Sequence, residues 1–293
     1  MANVLCSVNS VCTKVYQKIP VIIRSLIIGL LILCSATFPL LFLIAQNMNW
    51  LPQIPWVLVP GILFLWLYWR YLNGHGWPAK TSNVRKEYLR ANAIPSTLRM
   101  NCWISGIFLG LFITGLNVLG YLLLEIPKDG IASFQPLLNT PLHTGLPLML
   151  FFALVVGVSE EAAFRGYMQK SLEKRYTPTV AIGFVAIIFA LVHFPPMPLI
   201  PFFVLGAVGW GVLAYFSNSI LPGIIFHIMV DLGFLLWLRL DTDTVLYIFA
   251  HSPSDGINNL LIGAILFTIT IGCITFYSFF KLGQKRKSVS NIS

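Results

Sequence analysis

Apolar runs close to twenty residues long, separated by short polar or Pro/Gly-rich breaks, occupy most of the chain. A helix needs about that length to cross the roughly 30 Å hydrocarbon core of a bilayer. The pattern predicts spans over residues 21–44, 54–71, 103–124, 146–166, 179–194, 199–216, 221–238 and 260–280. The fifth to seventh are short and are set apart by Pro195-Pro196-Met197-Pro198 and Pro222-Gly223, residues that interrupt regular structure. The predicted fold class is all-α: a polytopic membrane helical bundle of about eight transmembrane helices. No polar block is long enough to act as a linker, so a single transmembrane domain is expected over residues 1–293.

Composition agrees with this pattern. Hydrophobic residues make up 57% of the chain and charged residues 10%, against about 25% charged in a typical soluble domain. A soluble fold has no means of hiding that much apolar surface. The five cysteines (Cys6, Cys12, Cys34, Cys102, Cys273) are scattered with no C-x-x-C spacing, so they are expected to be free thiols.

The charges fall on alternate loops. Lys14, Lys18 and Arg24 precede the first span; Lys80, Arg85, Lys86, Arg90 and Arg99 follow the second; Lys170, Lys174 and Arg175 follow the fourth. Lys281, Lys285, Arg286 and Lys287 follow the last. The other side has Glu125, Asp129, Asp241, Asp243 and Asp255 with only Lys128 and Arg239. The positive-inside rule then places both termini in the cytoplasm, and the loop from Lys80 to Arg99 is expected to lie against lipid. The net charge of +9 is accounted for by this asymmetry and by attraction to anionic lipid; no soluble basic surface exists to bind nucleic acid. The first apolar run is longer than the core of a signal peptide, so it is expected to remain as an uncleaved span. Short loops and the absence of eukaryotic targeting signals point to a bacterial plasma membrane. Nothing in the sequence sets an oligomeric state.

Against this apolar background, three polar groups stand out: Glu160-Glu161-Ala-Ala-Phe-Arg165, Phe189-Ala-Leu-Val-His193 and His227-Ile-Met-Val-Asp231. An ionisable side chain at the centre of a spanning helix costs roughly 2.5–3.5 kcal/mol on insertion scales, so such residues mark function or interhelical pairing. Glu161 and Arg165 share a face at i,i+4, while Glu160 is turned away by about 100°. His227 and Asp231 have the same i,i+4 spacing. Counting about 1.5 Å per residue puts Glu160 roughly 15 Å from Lys170 and His193 roughly 22 Å from Pro178, so all three groups reach a similar depth. Together they hold a general base, a second proton-handling group and hydrogen-bond donors, enough to activate water and stabilise an oxyanion. Two histidines and one or two carboxylates also form a donor set for zinc, although no H-E-x-x-H motif is present. Spacing alone does not choose between these mechanisms. His75, His143 and His251 fall in loops or near interfaces. Gly106-x-x-x-Gly110 and Gly206-Ala-Val-Gly209 read as helix-packing surfaces.

The order E-E-x-x-x-R, F-x-x-x-H, H-x-x-x-D/N, each on its own span, resembles the CAAX protease and bacteriocin-processing family (CPBP, also called Abi), which includes the type II CAAX prenyl endopeptidases. The resemblance covers about residues 146–238. It implies an intramembrane endopeptidase in which Glu160 activates water with help from His193. His227 and Asp231 would support the oxyanion and the bound water, while Glu161, Arg165 and Phe189 would give structural support. The glutamate mechanism requires no cofactor. Members have also been described as metalloproteases, in which case Glu160, His193, His227 and Asp231 would be the zinc ligands. Asp231 stands where many relatives have Asn, which donates a hydrogen bond that Asp donates only when protonated. The implied partners are a membrane-associated or lipidated protein or peptide substrate and the lipid bilayer. The alternative is a non-proteolytic membrane protein acting in peptide-toxin immunity or in proton-coupled transport through Glu160 and His193.

Overall fold

A computed structural model describes residues 19–124, 135–241, 243–245, 248 and 258–290. Cys6, Cys12, Lys14, Lys18, Glu125, Lys128, Asp129, His251 and Asp255 lie outside the described residues. The main helices are α1 (Val21–Trp50), α2 (Leu58–Leu72), α3 (Ser82–Leu89), α4 (Ser96–Leu123) and α5 (Leu142–Glu160). A π-helical segment (Glu161–Met168) continues α5 into α6 (Gln169–Glu173). Then come α7 (Pro178–Val192), α8 (Ile200–Ser217), α9 (Leu221–Leu240) and α10 (Asn259–Ser290).

Among the described residues, six helices are long and apolar enough to cross a membrane: α1, α4, the continuous run Leu142–Glu173, Met197–Ser217, α9 and α10. About eight transmembrane helices were expected, and six meet this length. α2 and α7 lie where the second and fifth spans were expected, but each has only 15 residues. That is about 22 Å of helix, less than the hydrocarbon thickness. α7 starts cleanly, with Pro178 in its first turn and the Thr177 side chain accepting from the Val180 amide, a combination that fixes a helix start. It stops at Val192 because Phe194 takes a left-handed backbone (φ 46°) ahead of two prolines.

The α5–π–α6 run is the central element. α1 and α9 pack along it, α4 packs on α9, and α8 and α10 pack on α4. Close approach depends on residues without side chains. A Cβ on Gly157 would meet Ile228 of α9 at 2.7 Å, and one on Gly106 would overlap the Phe226 ring. Small-residue contacts of this kind let membrane helices gain dispersion energy where lipid offers no hydrophobic contrast. The outer surface is apolar, with Leu31, Phe38, Phe42, Val59 and Phe276 all exposed. Cys34, Cys102 and Cys273 are free thiols, as expected.

Three of the basic segments meet at one end of the bundle. Arg90, after α3, forms a bidentate pair with Glu173 of α6 (3.1 and 2.7 Å). Arg286 of α10 donates to the Tyr215 carbonyl of α8, and Lys285 donates to Asn101 of α4 (3.0 Å). The loop from Lys80 to Arg99 is not simply a lipid-facing segment. Arg85 and Arg90 are 5% and 1% exposed. Arg85 donates to the carbonyls of Tyr71, His75, Gly76 and Pro78, tying the loop into a compact unit over the end of the central run.

Candidate active site

Glu160 is the last residue of α5, and the π-helical turns begin at Glu161. The i→i+5 bonding of a π-helix inserts an extra residue and re-aims side chains, and such segments recur at functional sites. Here the two glutamates diverge, and every residue from Glu161 to Met168 is buried. Glu161 is ion-paired with Arg165 (Oε1–Nη1 3.0 Å) and lies 3.1 Å from Nδ1 of His227. Glu160 faces outward from that pair, with Oε1 3.5 Å from Nε2 of His193 and Oε2 3.7 Å from Nε2 of His227.

Backbone and carboxylate partners set the protonation of both imidazoles. Nδ1 of His193 lies 2.7 Å from the Phe189 carbonyl, which only accepts, so this nitrogen carries a proton. Nδ1 of His227 faces the Arg165-paired Glu161 carboxylate and is likewise the donor. Each ring therefore presents Nε2 to Glu160 in a fixed orientation, the arrangement by which a second group sets a working histidine's tautomer. Asp231, one turn below His227, brings Oδ2 to 3.7 Å from the same Nε2. Glu160 Oε2 and Asp231 Oδ2 are both buried and have no protein hydrogen-bond partner. Buried polar atoms are normally satisfied, so the space between them suits a water or a substrate polar group.

His193 does not sit inside its helix. It caps the C-terminus of α7, and its side chain is 27% exposed against 8% for His227. The expected depth is reached because α7 is short, and the histidine forms the open edge of the cluster. Beside it, Phe194 is 90% and Met197 84% exposed, so this edge opens among apolar side chains.

Aromatic packing holds the cluster. Phe189 lies 4.3 Å from the His193 ring, and the Arg165 guanidinium covers its face at 4.4 Å. Trp210 of α8 stacks on His227 at 5.8 Å with 13° between planes. Trp210 was not singled out from the sequence, because an aromatic residue in an apolar run looks like ordinary core. Gly223 was also missed: a Cβ there would come within 2.5 Å of Glu161 Oε2, so only glycine lets α9 approach this carboxylate.

A polar stripe continues away from the site. Glu161, Arg165, Gln169 and Glu173 follow at four-residue intervals. Arg165 donates to the Ala207 carbonyl (3.4 Å), and Gln169 donates to the Gly211 carbonyl and to Glu173 (3.0 and 2.8 Å). Glu173 in turn holds Arg90. The stripe clamps α8 against the central run and ends at the basic face of the bundle. The spacing was legible in the sequence, but the Arg90 and Gln169 partners were not.

The loop histidines stay apart from this cluster: His75 contacts the Arg70 carbonyl and His143 the Gln53 carbonyl. The donor types of Glu160, His193, His227 and Asp231 suit zinc. Even so, among the described residues no three His, Cys, Asp or Glu side chains are placed to hold one metal ion. No chemical step is routed through a metal.

Neither the curated proteins nor the solved structures contain a match to this chain. Residues 142–233 match the family model described as type II CAAX prenyl endopeptidase Rce1-like. That segment carries all three polar groups, from Glu160 to Asp231, and the match agrees with the resemblance read from their order. Over residues 142–233, about a third of the chain, the sequence is similar to the type II CAAX prenyl endopeptidase Rce1-like family, a family of membrane proteases.

Proposed function

We propose that this protein is an intramembrane endopeptidase that hydrolyses a membrane-associated or lipidated protein or peptide, with Glu160 as the base. The carrying observation is that two imidazoles, each anchored through Nδ1, direct Nε2 at the two oxygens of one carboxylate. A water beside Glu160 would give it a proton as the oxygen attacks the scissile carbonyl carbon. His193 assists the proton transfer. The C–N bond then breaks, and the proton passes to the leaving amine. His227 and Asp231 flank the position where the carbonyl oxygen becomes negative, and a neutral Asp231 or a protonated Nε2 would donate to it. Glu161 and Arg165 act through His227: they fix its ring rather than touch the substrate.

The whole chain, residues 1–293, is proposed to work as one unit around this core, with the basic end of the bundle in the cytoplasm. The site is expected near that leaflet, because Glu160 precedes Lys170 by ten residues, roughly 15 Å of helix. The test compares membranes carrying the wild-type chain with membranes carrying Glu160→Gln, reading new peptide termini of co-resident membrane proteins by mass spectrometry. Cleavages present only with the wild type support the proposal. Identical termini with both proteins folded would refute it and favour a non-proteolytic role, as would toxin protection or transport that survives the substitution.

A further inference from the structure

Among the described residues, three other than glycine take a left-handed backbone: Arg90 (φ 58°), Asn218 (φ 48°) and Phe194 (φ 46°). A Cβ crowds the following carbonyl in that region, so a bulky residue is strained there, whereas glycine or asparagine enters it readily. Asn218 is of the tolerant type, and its side chain accepts from Nε of Arg90 (3.3 Å). Arg90 offsets its backbone strain through the buried pair with Glu173. Phe194 does neither. Its side chain is 90% exposed, and it precedes Pro195, whose ring favours an extended backbone at the residue before it.

The turn that carries Phe194 is held from both sides. The Phe194 amide donates to the Leu191 carbonyl (3.1 Å) and the Leu199 amide to the Pro196 carbonyl (2.8 Å), while Pro195, Pro196 and Pro198 have a fixed φ. Leu199 is 2% exposed and packs so closely on α4 that a Cβ on Gly120 would lie 2.9 Å from it. Before the bend, Nδ1 of His193 is tied to the Phe189 carbonyl, and Phe203 of α8 lies 5.5 Å from the His193 ring. Phe194 is therefore presented in a fixed frame, one residue from the histidine whose Nε2 faces Glu160 at 3.5 Å. Strained backbone that persists beside reactive groups is a property of active sites and ligand clamps. Glycine would end α7 equally well. Phenylalanine adds only a ring, and that ring is left almost entirely outside the protein's own packing.

We propose that Phe194 determines specificity: its ring contacts an apolar group of the substrate beside the scissile bond, at the open edge of the Glu160 cluster. The inference rests on the endopeptidase reading given above. A contact preformed on a rigid turn needs little ordering when the substrate arrives. Removing the ring should lower cleavage by about tenfold or more, the scale for losing the burial of one large apolar side chain. The apolar group is a side chain of the substrate peptide or a lipid chain attached to it.

Membranes carrying the wild type, Phe194→Gly, Phe194→Ala, Phe194→Leu or Glu160→Gln are compared by mass spectrometry of new peptide termini, and the unfolding temperature of each full chain is read in detergent. If Glu160→Gln changes no termini, the endopeptidase reading fails and takes the specificity role with it. If Glu160→Gln removes cleavages, Phe194→Gly should slow those beside an apolar group by about tenfold or more and spare those beside polar groups. The masses of the terminal peptides tell an apolar side chain from an attached lipid. Phe194→Leu should restore most of the loss. Phe194→Gly should also unfold about 2–4 °C above the wild type, because relief of the strained backbone exceeds the added freedom of the unfolded chain. Phe194→Ala keeps the strain, so it should lose the same cleavages without that rise. Phe38→Ala, at a ring 68% exposed on α1, should leave the cleavages unchanged. Unchanged cleavage in Phe194→Gly, an equal loss beside apolar and polar groups, or unfolding of Phe194→Gly below the wild type would each overturn the proposal.

Discussion

Adjacent glutamates with opposite duties make Glu161→Gln a sharp test of the site. Glu161 is fully buried and Arg165 is 1% exposed. Removing one partner of a buried ion pair leaves an uncompensated charge and costs about 3–5 kcal/mol. The amide oxygen that replaces the carboxylate would still accept from His227 Nδ1, retaining a bond worth about 0.5–1.5 kcal/mol, so the lower end, about 3 kcal/mol, is expected. On the scaling for domains of 150 to 250 residues, that lowers the unfolding temperature by about 6–12 °C. Glu160→Gln should differ. Its contacts to the histidines are 3.5 and 3.7 Å, and Oε2 has no hydrogen bond to lose, so the stability cost should stay below about 1 kcal/mol. Hydrolysis, by contrast, should fall at least about 100-fold, the lower range for loss of a general base. Unfolding can be followed in detergent by thiol labelling of Cys102, which is fully buried, in a chain whose other cysteines are serine. If Glu161→Gln unfolds with the wild type while Glu160→Gln unfolds early, the division of roles is wrong.

Four further outcomes are expected. Gly223→Ala places a Cβ 2.5 Å from Glu161 Oε2; overpacking of this kind costs about 1–3 kcal/mol and should displace His227, so both unfolding temperature and cleavage rate should drop. Arg90→Ala strands Glu173 and should cost about 3–5 kcal/mol, whereas Lys174→Ala breaks a pair whose members are 40% and 54% exposed and should cost less than about 1 kcal/mol; thermal unfolding distinguishes them. Asp231→Asn keeps a group that donates to an oxyanion and should retain cleavage within about tenfold, while Asp231→Ala should lose at least about 100-fold, the scale for removing one such donor, as read in initial rates. On the glutamate mechanism, which routes no step through a metal, cleavage should persist after treatment with a strong zinc chelator; a loss restored by added zinc would refute that expectation.

The parts legible in the sequence were those that contradict their surroundings. Glu160, Glu161, Arg165, His193, His227 and Asp231 are conspicuous because an apolar medium penalises them, and helical rise alone predicted that they meet at one depth. The fold class followed from run length for the same reason. Local reading failed where the deciding fact was contact between distant elements. Arg90 looks like one more loop cation, yet it is buried against Glu173, 83 residues away. α7 carries spanning composition but stops at Val192, since the chain before Pro195 turns left-handed at Phe194. Trp210 and Gly223 are ordinary apolar or small residues until their neighbours are known.

One physical condition links the site to the rest of the bundle. Lipid cannot satisfy a polar group, so a membrane-embedded cluster has to be completed from within the protein. Along the stripe from Arg165 to Glu173 this is done in part by the carbonyls of α8 and by Arg90, with Arg165 Nε and Gln169 Oε1 also left without a hydrogen-bond partner. At the far end, facing the open edge beside His193, completion stops: Glu160 Oε2 and Asp231 Oδ2 have no protein partner and lie on either side of His227 Nε2. A purely structural polar cluster would gain about 1–3 kcal/mol for each such atom it satisfied. Two acceptors left open around an oriented imidazole suit a water or substrate group that completes them. That is why disrupting Arg90, far from the chemistry, should lower stability, while changing Glu160 should remove activity and leave the fold standing.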